Sequence, residues 1–465
     1  MRLRRDRVMK LQRGVSMVAQ TVQVIGAGLA GCEAAYALAR AGFSVRLREM
    51  KPVKYSPAHH SPGFAELVCS NSLKAKRLGS AAGLLKAEME ALSSLTVACA
   101  KQCAVPAGGA LAVDREEFSR LVTEAIRACP NITVETGEVT ELPEGPAVVA
   151  TGPLTSDALA ASLSSLCGEG LRFYDAAAPI VTAESLERDK VFFAARYGRG
   201  DDDYINCPFT KEEYEVFYDA LIHAQRAELH EADRDLTVYE GCMPVEVMAA
   251  RGVDTLRYGP LRPVGLTDPR TGRRPWAVVQ LRAENREGTL YNLVGFQTNL
   301  KFGEQKRVFS LIPGLGKAEF ARYGVMHRNT FLYSPALLTP QFALREHPEL
   351  CFAGQLTGVE GYMESAASGI LAGRGLARRL KGLPPLTLPP TTMLGALSSY
   401  VSNGGIRRAD FQPMGANMGI LPPLPQRVKG KAERYGQIAG RAMADLAGYL
   451  AGVTPEWEKG SGLHE

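Results

Sequence analysis

The chain has 465 residues, with 54 Lys+Arg against 49 Asp+Glu, and is 46% hydrophobic and 22% charged, the balance of a folded globular protein. Its net charge of +5 is that of residues 1–16 alone, where Arg2, Arg4, Arg5, Arg7, Lys10 and Arg13 stand against Asp6, so the body is neutral and a globally basic nucleic-acid binder is excluded. No apolar run reaches the roughly 18 residues of a membrane span, and nine cysteines without regular spacing fit a reducing, cytoplasmic compartment better than a disulfide framework.

The basic stretch 1–16 reads as a tail outside the fold, with Met17 a candidate start. Behind it the β-branched run Thr21–Ile25 reads as a buried strand, Leu29–Ala41 as an Ala-rich helix and Ser44–Arg48 as a second strand. Asp114 caps the next helix, whose first turn holds Glu116 and Glu117. Ile132–Glu135 and Ala147–Ala150 are again strand-like. This β-α-β alternation predicts an α/β fold with a Rossmann-like parallel sheet over 17–186.

From 187 to 319 the style changes. A helical pattern over Lys211–Glu228 precedes two turn-rich hairpin candidates, Asp268–Gly272 before Trp276–Leu281 and Glu287-Gly288 before Thr289–Phe296. We read a smaller α+β insertion domain there. The α/β style returns over 320–465, with a strand at Leu350–Ala353, a helix at Glu364–Leu380 and a last helix at 430–451. Charge divides the same way: 184–240 holds 7 basic and 15 acidic groups, and 241–465 holds 27 and 17. Any one cluster is more often a solvated face, yet the basic C-terminal half makes an anionic partner worth entertaining.

Gly26-Ala27-Gly28-Leu29-Ala30-Gly31 follows a strand and opens a helix. Its glycines permit a tight turn and close approach of backbone to a pyrophosphate, while the helix N-terminus supplies N–H groups to the phosphates. Glu49 ends the next strand 18 residues after Gly31, where a carboxylate can accept from a ribose diol. A lone GxGxxG is weak; this strand–turn–helix–strand–acid series is strong. Thr151-Gly152 follows a later strand, and Gly354, Gly358 and Gly361 precede a second helix. That second glycine-rich start, with no second GxGxxG for a nicotinamide domain, favours FAD over NAD.

Cys69, in Phe64-Ala-Glu-Leu-Val-Cys69-Ser-Asn-Ser-Leu73, and Cys242, in Tyr239-Glu-Gly-Cys242-Met-Pro-Val-Glu246, sit among polar, turn-forming residues where a thiolate can be stabilised. Any single cysteine is more often a small buried hydrophobe, and Cys32, Cys129, Cys167 and Cys351 read that way. Cys99 and Cys103 are four apart with no second pair at zinc spacing, so no metal site is expected.

At these residues the chain resembles the bacterial folate- and FAD-dependent tRNA (uracil-5-)-methyltransferases, which make 5-methyluridine in the T-loop of tRNA. The matching segments include Gly26–Gly31, Pro57-Ala-His59, Ala65–Leu73, Leu84–Met89, Val105–Phe118, Ala150–Leu154, Arg196–Gly198, Asn206–Pro208, Gly295–Thr298, Gly324–Thr330, Gly358–Tyr362 and Phe411–Pro413, nearly the whole body. The resemblance implies FAD reduced by NADH or NADPH, 5,10-methylenetetrahydrofolate as carbon donor, and tRNA as partner. It makes Cys242 the thiolate that adds to uracil C6, Cys69 a second catalytic cysteine near the flavin, and His327 a ring stacked on the folate pterin, with Arg328 and Asn329 beside it. Without the family, a structural His capping a loop would be the better reading of His327. The chain departs from the pattern at Phe302-Gly303 and Met418, and residues 1–16 have no counterpart.

The alternatives are an NAD(P)H-dependent flavin oxidoreductase, opposed by the missing nicotinamide domain, and a non-catalytic flavin-bound tRNA-binding protein. The related wobble-uridine-modifying flavoproteins are expected to need a longer C-terminal helical extension. For phosphate contacts the candidates are Arg270, Arg273, Arg274, then Arg378, Arg379, Lys381, then Arg427, Lys429, Lys431 and Arg434.

Overall fold

β1 (Thr21–Ile25) runs into the glycine-rich turn and α1 (Leu29–Arg40), and the chain returns through β2 (Ser44–Glu49). The computed structural model describes residues 21–167, 171–198, 202–227 and 243–453, with backbone alone at 171–176 and 327–330; the basic stretch 1–16 and Met17 lie outside them. Next come α2 (Ala81–Ala91), α3 (Leu95–Gln102) and α4 (Arg115–Ala128), the last capped as expected by Asp114, which accepts from Glu117 N at 3.0 Å. β3 (Ile132–Thr136) and β4 (Ala147–Val149) complete the first run.

The middle of the chain supplies β5 (Tyr204–Phe209), α5 (Lys211–Ile222), β6 (Ala277–Ala283) and β7 (Leu290–Leu293). The last part supplies β8 (Leu350–Phe352), α6 (Tyr362–Leu380), α7 (Met393–Val401) and α8 (Lys431–Val453).

β8-β4-β1-β2-β3 form one parallel sheet. β4 and β8 are buried at every residue, as a sheet covered on both faces requires, whereas β2 alternates and sends Arg46 and Arg48 toward Glu135 of its neighbour. A six-stranded sheet takes 192–193, β5, β6, β7, 180–182 and 320–322 in that order, all antiparallel. Each sheet has its own core: Val22, Leu38, Leu47, Phe118, Phe352 and Ile370 in the first, Phe209, Phe217, Leu281, Phe296 and Phe309 in the second. A ribbon of 171–176 against 326–331 joins the two parts of the chain.

α6 lies directly on α1. A Cβ at Gly369 would stand 2.1 Å from Ala30 O, and one at Gly373 2.7 Å from Ala34 O, so these two glycines let the helices touch backbone to backbone. That packing brings the start of α6 beside the start of α1.

Two expectations are corrected. α5 ends at Ile222, not Glu228, because Arg226 bridges to Leu300 and Ala227 N donates to Asn299 O at 2.7 Å, drawing the chain off the helix axis. Asp268–Gly272 closes a local loop, with Gly272 N donating to Asp268 O at 2.8 Å, instead of joining two strands. Glu287-Gly288 does turn β6 into antiparallel β7, with Gly288 at φ 62°.

Candidate active site

A cleft enclosing about 1120 Å³, open to solvent, lies at the carboxyl ends of β1, β2, β3, β4 and β8, the crevice where parallel α/β sheets take their ligands. Gly26 holds φ 95°, and a Cβ there would meet Ala150 O at 2.7 Å. A Cβ at Gly31 would stand 1.8 Å from Gly26 O, so residue 31 must be glycine for the helix to start this close to the turn. At Gly28, by contrast, a Cβ would meet no protein atom within 4 Å: that bare backbone borders the open cleft. Crowding behind and space in front, at a helix N-terminus, are what a pyrophosphate needs.

Glu49 lies on the cleft as expected, and it also ties the turn down. Its Oε2 accepts from Ala27 N at 2.7 Å and its Oε1 from Lys51 N at 3.0 Å. Thr151 and Gly152 line the opposite wall, where the Thr151 hydroxyl meets that of Thr155 at 2.6 Å. Gly354 lines the end nearest α6, at φ 81°, with its N–H donated to Ser368 Oγ at 2.7 Å.

Gly358 does not border the cleft. It turns at φ 81° against Phe411, whose ring a Cβ would meet at 2.5 Å, so this glycine shapes the loop behind the site.

The loop between β2 and Cys69 closes over the cleft through a corner that sequence reasoning missed. Lys51 Nζ donates to Gly63 O at 2.6 Å and pairs with Glu66 at 3.3 Å, while Glu66 Oε1 accepts from His60 N and Ser61 N at 2.9 and 3.1 Å. His59 Nδ1 lies 2.6 Å from Ser56 Oγ, and burial pulls its pKa down, which favours the neutral ring. The signal available was Pro57-Ala-His59, a matched motif without a role.

Cys69 is half-buried just past the far end of the cleft. Its N–H donates to Tyr362 Oη at 2.8 Å, and its Sγ lies 3.0 Å from the same oxygen. Tyr362 opens α6 and lines the cleft, so one phenol links cofactor space to thiol. Burial, reinforced by Cys69, holds the Tyr362 phenol well above its ordinary pKa, so at neutral pH it is an O–H able to donate to sulfur. Tyr362 ends the Gly358–Tyr362 motif, and a helix start behind three glycines was the signal for it. The cysteines expected to be inert are buried: burial pushes the Cys167 thiol up to about 11 and the Cys351 thiol up to about 12.

Cys242 lies outside the described residues. His327, Arg328 and Asn329 stand opposite Asp175, Tyr174 and Phe173 in the two-stranded ribbon, and the chain just beyond, at Leu332 N, donates to Leu356 O at 2.8 Å beside the Gly354 turn. One candidate phosphate contact is corrected: Arg378 is buried, with Nε donating to Pro384 O at 2.7 Å. Arg270 is exposed but paired with Asp268, and it donates to Asp189 O. Arg273, Arg274, Arg379, Lys381, Arg427, Lys429, Lys431 and Arg434 are exposed.

A family model described as Glucose inhibited division protein A, GIDA, matches residues 21–384. The chain is 58% identical over 427 residues to the methylenetetrahydrofolate--tRNA-(uracil-5-)-methyltransferase TrmFO of Lactiplantibacillus plantarum, covering 92% of this chain and 96% of that one. With the protein of the same name from Bacillus cytotoxicus it shares 54% over 435 residues, 93% of this chain and 100% of that one. Aquifex aeolicus GidA superposes at a TM-score of 0.67 and 16% identity over 93% of this chain and 74% of that chain, a likeness of fold. By identity of this extent, the chain belongs to the methylenetetrahydrofolate--tRNA-(uracil-5-)-methyltransferase family.

Proposed function

We propose that the protein carries a one-carbon unit from 5,10-methylenetetrahydrofolate to C5 of a T-loop uridine in tRNA, with FAD in the cleft and NADH or NADPH as reductant. The observation that carries this reading is the 58% identity over 92% of the chain. The cleft fits FAD: Gly26, Ala27, Gly28 and the start of α1 would hold the pyrophosphate, Glu49 the ribose, and Thr151, Gly152 and Gly354 the remainder. Bound FAD would supply the two-electron reduction that turns a methylene into a methyl.

Uracil C5 is a poor nucleophile. Cys242, as thiolate, adds to C6: the S–C6 bond forms, the C5–C6 π pair becomes the C4–C5 double bond, and charge moves onto O4. C5 then attacks the one-carbon unit; after the C5 proton is lost, the bond from that carbon to the folate nitrogen breaks with its electron pair going to nitrogen, and two-electron reduction of the methylene left on C5, with expulsion of the thiolate from C6, restores the ring as 5-methyluracil. Cys69, against the neutral Tyr362 hydroxyl, is the proton-handling thiol at the cleft's end. His327 stacks on the pterin, with Arg328 and Asn329 beside it. The target base leaves its loop to reach these groups.

The test is methylation of unmodified tRNA followed by nucleoside analysis. Product is expected with methylenetetrahydrofolate and reduced nicotinamide; full turnover with S-adenosylmethionine as the only methyl donor would sink the reading.

A further inference from the structure

Three guanidinium groups converge behind Cys69. Arg115, on α4, donates through Nη1 to Leu67 O at 2.8 Å and holds both carboxylate oxygens of Glu284 through Nε and Nη2. Arg282, on β6, donates Nε to Asn71 Oδ1 at 2.9 Å and Nη2 to Ser70 Oγ at 2.8 Å. Both thus grip the segment 67–71 that carries Cys69, one from each sheet's side of the molecule. Arg322, at the end of the strand 320–322, is the third, and the titratable groups near enough to act on it include Arg115, Glu284, Tyr362 and Cys69.

Arg322 differs from the other two in one respect. Its Nε and Nη2 are buried and have no hydrogen-bond partner among the described residues. These two nitrogens form a single edge of the guanidinium, the edge that in Arg115 takes Glu284 and in Arg282 takes Asn71 and Ser70. Arg378 and Arg441 also have an open nitrogen, but only one each, and both are anchored through other nitrogens to main-chain carbonyls. Arginine cannot discharge itself by losing its proton. Glu284, the nearby carboxylate, is already held by Arg115. A half-buried guanidinium whose bidentate edge is itself buried and meets no partner among the described residues is shaped to receive an anion.

We propose that Arg322 is the anion receptor of the active centre, its open Nε–Nη2 edge taking an oxygen-borne negative charge from a substrate bound beside Cys69. This rests on the proposed folate- and tRNA-dependent reaction, which offers two sources of the same chemistry. One is a glutamyl carboxylate of the folate, a planar two-oxygen anion that matches the edge as Glu284 matches Arg115. The other is the O4 enolate that forms when a thiolate adds to uracil C6.

Arg322→Gln keeps an unbranched polar side chain, shorter than arginine's, and loses the charge. Two readouts on the flavin-loaded enzyme separate the sources: tetrahydrofolate binding, followed by the change in flavin absorption, and the covalent adduct with T-arm RNA carrying 5-fluorouridine, scored as a slow band on a denaturing gel. With the carboxylate as ligand, Arg322→Gln weakens tetrahydrofolate about 30-fold or more, while tetrahydropteroate, which has no glutamate, binds wild type and variant alike. With the enolate as ligand, folate binding is unchanged and adduct yield drops about 30-fold or more. Either result supports the proposal. Folate affinity and adduct yield both within about twofold of wild type, in a variant with normal flavin content, would overturn it. If Arg322→Gln loses its flavin, Arg322→Lys, which keeps the cation but not the fork, is read by the same criteria. A wild-type enzyme that neither binds folate nor forms the adduct would overturn the proposed function itself.

Discussion

Tyr362 is where a single atom serves most partners in the site. Its Oη accepts from the N–H groups of Cys69 and Ser70, at 2.8 and 3.3 Å, and also meets the Cys69 sulfur. Tyr362→Phe therefore strands two N–H groups at the segment the arginines hold, at a cost of about 1–3 kcal/mol. We expect lower stability in urea together with abolished methylation, since the thiol is left without its donor; a Tyr362→Phe protein of wild-type stability and turnover would remove the phenol from the site. Cys242→Ala is expected to abolish product while FAD is retained, read by nucleoside analysis and flavin absorbance. Of these residues the two cysteines and the glycine positions could be read from the sequence, because thiols and glycine-rich turns announce their chemistry locally. Arg115, Arg282 and Arg322 could not, and Tyr362 is visible only as the helix start behind three glycines, without its partner. They are far apart in the chain, an arginine looks the same on a surface as in a buried cluster, and only the folded sheets bring them to Cys69.

At the level of elements, the parallel strands and their helices follow from local pattern, so β1, α1 and β2 fall within a residue of their expected bounds and α4 starts at its expected cap, Asp114. What local pattern misses is the competition of distant partners, as where Asn299 and Leu300 draw 226–227 away from α5. The glycine-rich turn gives a sharp prediction. Gly31→Ala places a methyl 1.8 Å from Gly26 O, so the turn must open, and the purified variant should carry less flavin absorbance per protein than wild type.

A second prediction concerns α7. Its first N–H groups, Met393 and Leu394, donate to the carboxylate of Glu88 on α2 at 2.7 and 2.8 Å, and burial outweighs those bonds, raising the Glu88 pKa to about 7. For an acid whose folded pKa is raised, the folded state binds the extra proton between its unfolded pKa, about 4.5, and about 7. Stability from this group is then greatest below that window and falls as pH rises through it, by about 3 kcal/mol in all. The difference in unfolding free energy between wild type and Glu88→Gln, from urea titrations at pH 5 to 8, should slope downward with pH; a flat difference would mean that Glu88 is ionised throughout.

Across the whole molecule the charge contrast acquires a shape. Of the basic groups in the C-terminal half, Arg378 is buried inside the fold, and exposed Arg270 is paired with Asp268. Lys431 and Arg434 at the start of α8 are exposed and flank Tyr435. Gly436, two residues on, lies against Gly79, where a Cβ would be 3.8 Å from Gly436 N, so exposed Lys76 and Arg77 stand at the same edge. From there the strand Ser72–Ala75 leads back to Cys69 within a few residues. A phosphate backbone following this edge would bring its loop to the thiol, whereas Arg273 and Arg274 lie in the second sheet's turn, on a separate element. Each phosphate neutralised by a basic side chain adds about 0.9 to the slope of log affinity against log salt on duplex nucleic acid. Replacing Lys76, Arg77, Lys431 and Arg434 by Ala together should weaken tRNA binding steeply and flatten that slope by about 1 for every phosphate left without its cation. Arg273→Ala with Arg274→Ala should leave the slope as it is. Filter binding of one unmodified tRNA across a salt series measures both, and the opposite pattern would move the tRNA to the antiparallel sheet's face of the molecule.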